Sequence, residues 1–151
     1  MVALAITKQV LQNGPRDYIA TYSWIGDGSS TIDNYVAADP TSTGDMGFVF
    51  TGQTLYPGTH LKIWQLRYNL AAGYSLELIW DATTPQAAWA LYGFGKQKFK
   101  EQGGLYVPQS NGAPITGATG KILFTCSASG NVVPSDATGT VQMWLKKDIA
   151  Q

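Results

Sequence analysis

Apolar and polar residues alternate along most of this chain with a period of two. Between Arg16 and Trp24, the residues Tyr18, Ala20, Tyr22 and Trp24 fall on one side, while Asp17, Thr21 and Ser23 fall on the other. Over 64–70, Trp64, Leu66, Tyr68 and Leu70 oppose Gln65, Arg67 and Asn69. Leu76, Leu78 and Trp80 then alternate with Ser75, Glu77 and Asp81. Ile122, Phe124 and Cys126 alternate with Lys121, Thr125 and Ser127, and Val141, Met143 and Leu145 with Thr140, Gln142 and Lys146. A strand puts successive side chains on opposite faces, so each apolar set predicts one buried sheet face. No segment sustains a 3.6-residue period over three turns.

Turn residues separate these pieces. The 17 glycines and 7 prolines are spread along the chain, with clusters such as Asn13-Gly14-Pro15, Gly26-Asp27-Gly28-Ser29-Ser30 and Asn111-Gly112-Ala113-Pro114. Regular turns around strand-length runs predict an all-β domain, an antiparallel β-sandwich with long loops and little helix. The domain is expected to span 1–151, with a short N-terminal arm over about residues 1–12. A hairpin is expected between 60–70 and 74–81, joined through Ala71-Ala72-Gly73. Ala87–Tyr92 reads as a further strand, with a helical turn at Pro85–Ala90 as the competing reading. The glycine-rich stretch 93–120 reads as a large excursion holding one or two short strands, the kind of loop that binds or assembles.

Composition narrows the function. Of 151 residues 44% are hydrophobic and only 13% charged, with ten basic and ten acidic side chains and a net charge of +0. Average domains carry about 25% charged residues. A chain of this size exposes about 7,500 Å², so charges are spaced at roughly one per 370 Å². Zero net charge removes the electrostatic case for nucleic acid or an anionic membrane. Weak mutual repulsion favours association, pointing to a subunit in contact with others. The opening MVALAITKQVLQ has no basic residue before its apolar stretch and lacks the plan of a secretory signal. No apolar run approaches the roughly 20 residues that cross a bilayer.

Reactive chemistry is sparse. His60 is the single histidine and follows a turn, so every His-based catalytic or metal site would have to use it. Cys126 continues the Ile122–Phe124 face and reads as a core thiol. Glu77 and Asp81 share a polar strand face roughly 13 Å apart by strand rise, beyond glycosidase geometry. Asp27, Asp33, Asp39 and Asp45 sit in turns without the ligand spacing of a calcium loop. The expectation is no enzyme, no cofactor and no metal.

Two features suggest contact surfaces instead. In Lys96-Gln97-Lys98-Phe99-Lys100, an extended chain puts Lys96, Lys98 and Lys100 on one side. They could grip an acidic patch on a partner, or guard an edge strand. Trp144 falls on the polar side of its strand, where it could anchor a protein interface, lie under a second layer, or stack on a sugar. Tyr106 and Tyr56 are the other aromatics a sugar reading would use. With the arm residues Val2, Leu4 and Ile6, the interface candidates are Lys96, Lys98, Lys100, Tyr106 and Trp144.

The segment LELIWDATTPQAAWALYGFGKQKFKEQGGLYVPQSNGAPITGATGKILFTCSASG, and within it GATGKILFTCSASG, resembles small all-β virion proteins of tailed bacteriophages, as does the closing TGTVQMWLKKD. The resemblance is especially to those that decorate or cement a capsid. It covers about half the chain and brings no catalytic or metal motif. It implies a sandwich or jelly-roll-like fold, many copies per particle (often trimers), and a major capsid protein or other virion subunits as partners. The implied location is the capsid surface of a virion assembled in the host cytoplasm. A tail or baseplate subunit and a carbohydrate-binding β-sandwich module are the alternatives.

Overall fold

The computed structural model describes residues 3–14, 16–40, 54–55, 61–110, 113–126, 132–147 and 149–150. In chain order the strands are β1 (Thr7–Asn13), β2 (Asp17–Ile25), β3 (Tyr35–Ala38), β4 (Thr54–Leu55), β5 (Leu61–Leu70), β6 (Leu76–Trp80), β7 (Gln86–Leu91), β8 (Phe94–Lys98), β9 (Gln109–Ser110), β10 (Ala113–Pro114), β11 (Ile122–Cys126), β12 (Thr138–Lys147) and β13 (Ile149–Ala150). One 3-10 turn at Lys100–Gln102 follows β8, and there is no α-helix among the described residues. Ala87–Tyr92 is therefore mostly strand, since the pairing of β7 with β6 outcompetes a helical turn.

Two antiparallel sheets form the sandwich, in the orders β1-β2-β12-β5-β8 and β3-β11-β6-β7. The pairings nest: β6 with β7, β5 with β8, β3 with β11, and β2 with β12. This is one long antiparallel ribbon whose tip is the β6–β7 connection. The ribbon curls so that β12 also pairs with β5, and β11 with β6. That strand order is a jelly roll, with β1 added on one edge.

The expected hairpin of 60–70 with 74–81 is not formed. Both strands exist, but β5 lies in the five-stranded sheet and β6 in the four-stranded one. The Ala71-Ala72-Gly73 turn, with Gly73 at φ +105°, carries the chain from one layer to the other. Leu66 and Leu70 of β5 and Leu76 and Leu78 of β6 therefore belong to one core instead of one ladder.

Trp64 also departs from its expected face. The β12–β5 register shifts between Trp144 and Leu145, so β5 carries one extra residue at Trp64. Leu61 and Ile63 point inward before this bulge, and Leu66 and Leu70 after it. Trp64 is turned to the outer face, where the Lys146 ammonium lies 5.3 Å from its ring centre. The segment expected as an arm is in part structural. Residues 7–13 form edge strand β1, and Leu4 donates its N–H to the Thr31 carbonyl at 2.7 Å.

The aromatic residues of β2 join the layers. The Tyr22 ring meets Phe124 of β11 edge-on at 5.0 Å, and its hydroxyl donates to the Ala37 carbonyl in β3 at 2.6 Å. Trp24 donates Nε1–H to the Tyr74 hydroxyl at 3.0 Å, and that hydroxyl donates to the Thr138 carbonyl at 2.9 Å. Gly139 is required beneath Trp24, because a Cβ there would lie 2.4 Å from the indole carbons. Cys126 is fully buried on the inner face of β11.

Gly139→Ala is expected to lower stability by about 1–3 kcal/mol through overpacking. Urea unfolding followed by tryptophan fluorescence measures it, and an unchanged midpoint would contradict this account.

Candidate functional site

The outer face of the five-stranded sheet collects the unusual side chains. Its cross-strand rows follow from the register. One row runs Ile19, Trp144, Gln65, Lys98; the next runs Thr21, Gln142, Arg67, Lys96; the third runs Ser23, Thr140, Asn69, Phe94. Directly opposed side chains on such a face lie about 5 Å apart at Cβ and act as neighbours.

At one end of the face, Asp17 organises a cation–aromatic cluster. Its Oδ1 accepts from Trp144 Nε1–H at 2.8 Å and from the Lys146 ammonium at 2.6 Å. That ammonium also lies 5.3 Å from the ring centres of both Trp64 and Trp144. Burial alone would raise the Asp17 carboxyl. The hydrogen bonds from Lys146 and Trp144, with the charges of Lys146 and Arg16, outweigh it and hold the group below its ordinary value.

The middle of the face is a shallow depression of about 360 Å³, lined among others by Thr21, Arg67, Asn69, Lys96, Thr140 and Gln142. Lys96 and Lys98 stand exposed on edge strand β8. The neighbouring Lys98 charge, then burial, then Arg67 lower the Lys96 ammonium below its ordinary value, and Lys100 adds to this. Lys100 does not continue the lysine row, because the chain leaves the sheet at buried Phe99 and turns into the 3-10 segment. Phe99 packs edge-on against Trp89 at 4.9 Å.

The opposite end of the sandwich carries exposed apolar side chains. Phe94 is 82% exposed, Tyr92 69% and Ile25 65%. Phe94 and Ile25 sit at the same end of the sheet, β8 starting where β2 finishes. A second depression of about 520 Å³ opens beside Ile25, with Thr7, Ser23, Thr138 and Thr140 in its lining.

The interface candidates are thus divided. Trp144, Lys96 and Lys98 share the outer face, and exposed Tyr106 borders it through Lys62, whose ammonium lies 5.8 Å from the Tyr106 ring centre. Leu4 is 9% exposed and belongs to the core, and Ile6 packs against that core. Val2, His60, Tyr56 and Asp45 lie outside the described residues. Arg67, Trp64, Tyr92 and Phe94 had not stood out as contact residues. The polar-face parity of β5 marks Arg67, but only the pairing of β5 with β8 sets it beside Lys96.

Asp27, Asp39 and Asp81 each hold a local structural contact. Asp27 accepts from the Ser29 and Ser30 amides at 2.9 and 2.6 Å and from the Ser30 hydroxyl at 2.5 Å. These donors, the Ser30 hydroxyl foremost, bring its carboxyl down to about 2. Asp81 accepts from the Thr119 hydroxyl at 2.8 Å, and Asp39 lies 4.0 Å from the Lys121 ammonium. No group of three or more His, Cys, Asp or Glu able to hold a metal ion occurs among the described residues.

Asp17→Asn is expected to cost about 1 kcal/mol and to change Trp144 emission. The folded carboxyl titrates below its unfolded value of 3.8, so the cluster stabilises above that pH and weakens as the pH falls through the folded pKa. The gap between wild type and variant should therefore close in acid, as read from urea midpoints across pH; a pH-independent gap would refute this. Comparison with protein-family models, curated proteins and solved structures finds no match, so the functional reading rests on the chain's own residues.

Proposed function

We propose that this protein is a structural subunit of a virion, most simply a capsid decoration protein that stabilises the major capsid lattice by surface contact. The observation that carries the reading is the uncovered apolar end, where Phe94, Tyr92 and Ile25 stand largely in solvent. Tyr92 and Phe94 lie two residues apart at the start of edge strand β8, with Ile25 across the same end of the sheet, and large apolar side chains left this exposed at one end of a domain mark a place where another surface docks. Aromatic residues dominate interface energetics, because each buries about 150–250 Å².

Two further features support it. The jelly-roll strand order recurs in viral capsid domains, although it also serves lectins and enzymes and so does not by itself select a function. A zero net charge with sparse charged residues lets many copies crowd on a lattice with little repulsion. Tethering of adjacent capsomers would then come from area: each bound domain adds a contact that must be broken before the capsomers separate.

The test is co-expression with the major capsid protein encoded in the same genome, followed by particle sedimentation. The protein is expected to travel with the particles, and Tyr92→Ser with Phe94→Ser to weaken that association by at least about tenfold. Retention in the supernatant with intact particles present would overturn the proposal, as would undiminished binding of the double variant. Sedimentation with purified tails instead would assign the subunit to the tail.

A further inference from the structure

The depression on the outer face of the five-stranded sheet is lined in a way the capsid reading does not require. Arg67 and Lys96 are opposed in register, and Gln65 and Lys98 are opposed one row along. All three cations lie on the same face of a ladder that fixes their spacing. The ion pair on this face joins Lys146 to Asp17, and Arg67, Lys96 and Lys98 have no carboxylate partner among the described residues. Opposed like charges are unfavourable in a sheet. The arrangement therefore gains electrostatic energy when an anion enters between them, and a guanidinium can bind a carboxylate or sulfate through two parallel hydrogen bonds.

Beside the cations stand neutral hydrogen-bonding groups, the hydroxyls of Thr21 and Thr140 and the amides of Gln142 and Asn69. These donate and accept, as ring hydroxyls do. The volume of about 360 Å³ falls within the range of small-ligand sites. The aromatic rings of Phe94 and Trp144 belong to the rows on either side of the Thr21–Lys96 row. A sugar ring offers the apolar face that such rings cover.

We propose that this depression binds an acidic saccharide, a sugar unit carrying a carboxylate or a sulfate. Arg67 and Lys96 hold the anion, Lys98 adds to the field, and Thr21, Gln142, Thr140 and Asn69 hold the ring hydroxyls. An acidic peptide fits less well. Of the four strands that line the depression, β2, β12 and β5 are already paired on both sides, and β8, whose outer edge is open, presents lysines that discourage the strand addition by which peptides join sheets. An extended nucleic acid would need a wider basic field than a chain of net charge +0 supplies. The inference does not depend on the virion reading.

The experiment titrates the isotopically labelled protein with a chondroitin sulfate tetrasaccharide, following amide shifts by NMR. Neutral chitotetraose, an oligoglutamate and an oligothymidylate are the comparison probes. Saturable shifts centred on Thr21, Arg67, Lys96 and Gln142 are expected, weakened by added salt and by about tenfold or more in the Arg67→Gln, Lys96→Gln double variant. Lys62→Gln, on the same face outside the depression, should leave the affinity unchanged. A chondroitin unit carries both anions, so repetition with 3′-sialyllactose and with sulfated lactose separates carboxylate from sulfate recognition. No shift with any of these sugars would overturn the proposal. So would equal binding of chitotetraose, tighter binding of the peptide or oligonucleotide, or affinity that survives the double variant in a protein with unchanged thermal unfolding.

Discussion

Burial of a single aromatic-rich layer between two sheets is the constraint on which everything else in this molecule depends. A curled ribbon leaves each sheet with one bare face, and those faces must meet. Tyr22 shows the requirement at one residue: its ring contacts Phe124, its hydroxyl reaches the Ala37 carbonyl, and its own strand belongs to the opposite sheet. Trp24, Tyr74 and Gly139 close the same layer at one end, the missing side chain of Gly139 making the room that the indole occupies. Tyr18, Trp80, Leu66 and Met143 complete it with no measurable loss to solvent or nearly none. With the inner faces committed this way, the outer faces are free to carry the side chains that meet other molecules.

Those outer surfaces are uneven despite the balanced overall charge. Basic groups gather at Arg67, Lys96 and Lys98, while acids such as Asp27, Asp39 and Asp81 are occupied by the turns and loops they hold in place. A formal charge of zero therefore conceals a local positive region. The two edges of the large sheet differ as well. β8 presents lysines, which discourage strand addition, whereas β1 presents exposed Val10 and Leu11 beside a bulge.

Strand identity was legible because it is local. The alternation of Tyr18, Ala20, Tyr22 and Trp24, of Ile122, Phe124 and Cys126, and of Val141, Met143 and Leu145 names both the strand and its inward face, and all ten are buried. Pairing was not legible. Gly73 permits a hairpin or a crossing between layers, and only the distant partners β12 and β11 decide which. The bulge at Trp64 had no marker in the sequence, since one extra residue in a ten-residue strand leaves both flanks alternating correctly. Trp144 could be read as outward from its own strand. The depression could not be read, because Thr21, Arg67, Lys96 and Gln142 come from four strands that share no motif.

The nested ribbon also sets how the chain must search for its native state. Its tip joins neighbours in sequence, β6 with β7, whereas its open end must bring Asp17 to Lys146 across nearly the whole chain. Loop closure of that span is entropically unfavourable before any contact repays it, and topologies dominated by such distant pairings fold on the order of milliseconds to seconds. Zipping from tip to open end is the route that keeps each successive loop short. On that route the Asp17–Lys146–Trp144 cluster forms last, so it acts as a latch that governs how readily the finished domain starts to come apart, more than how fast it assembles.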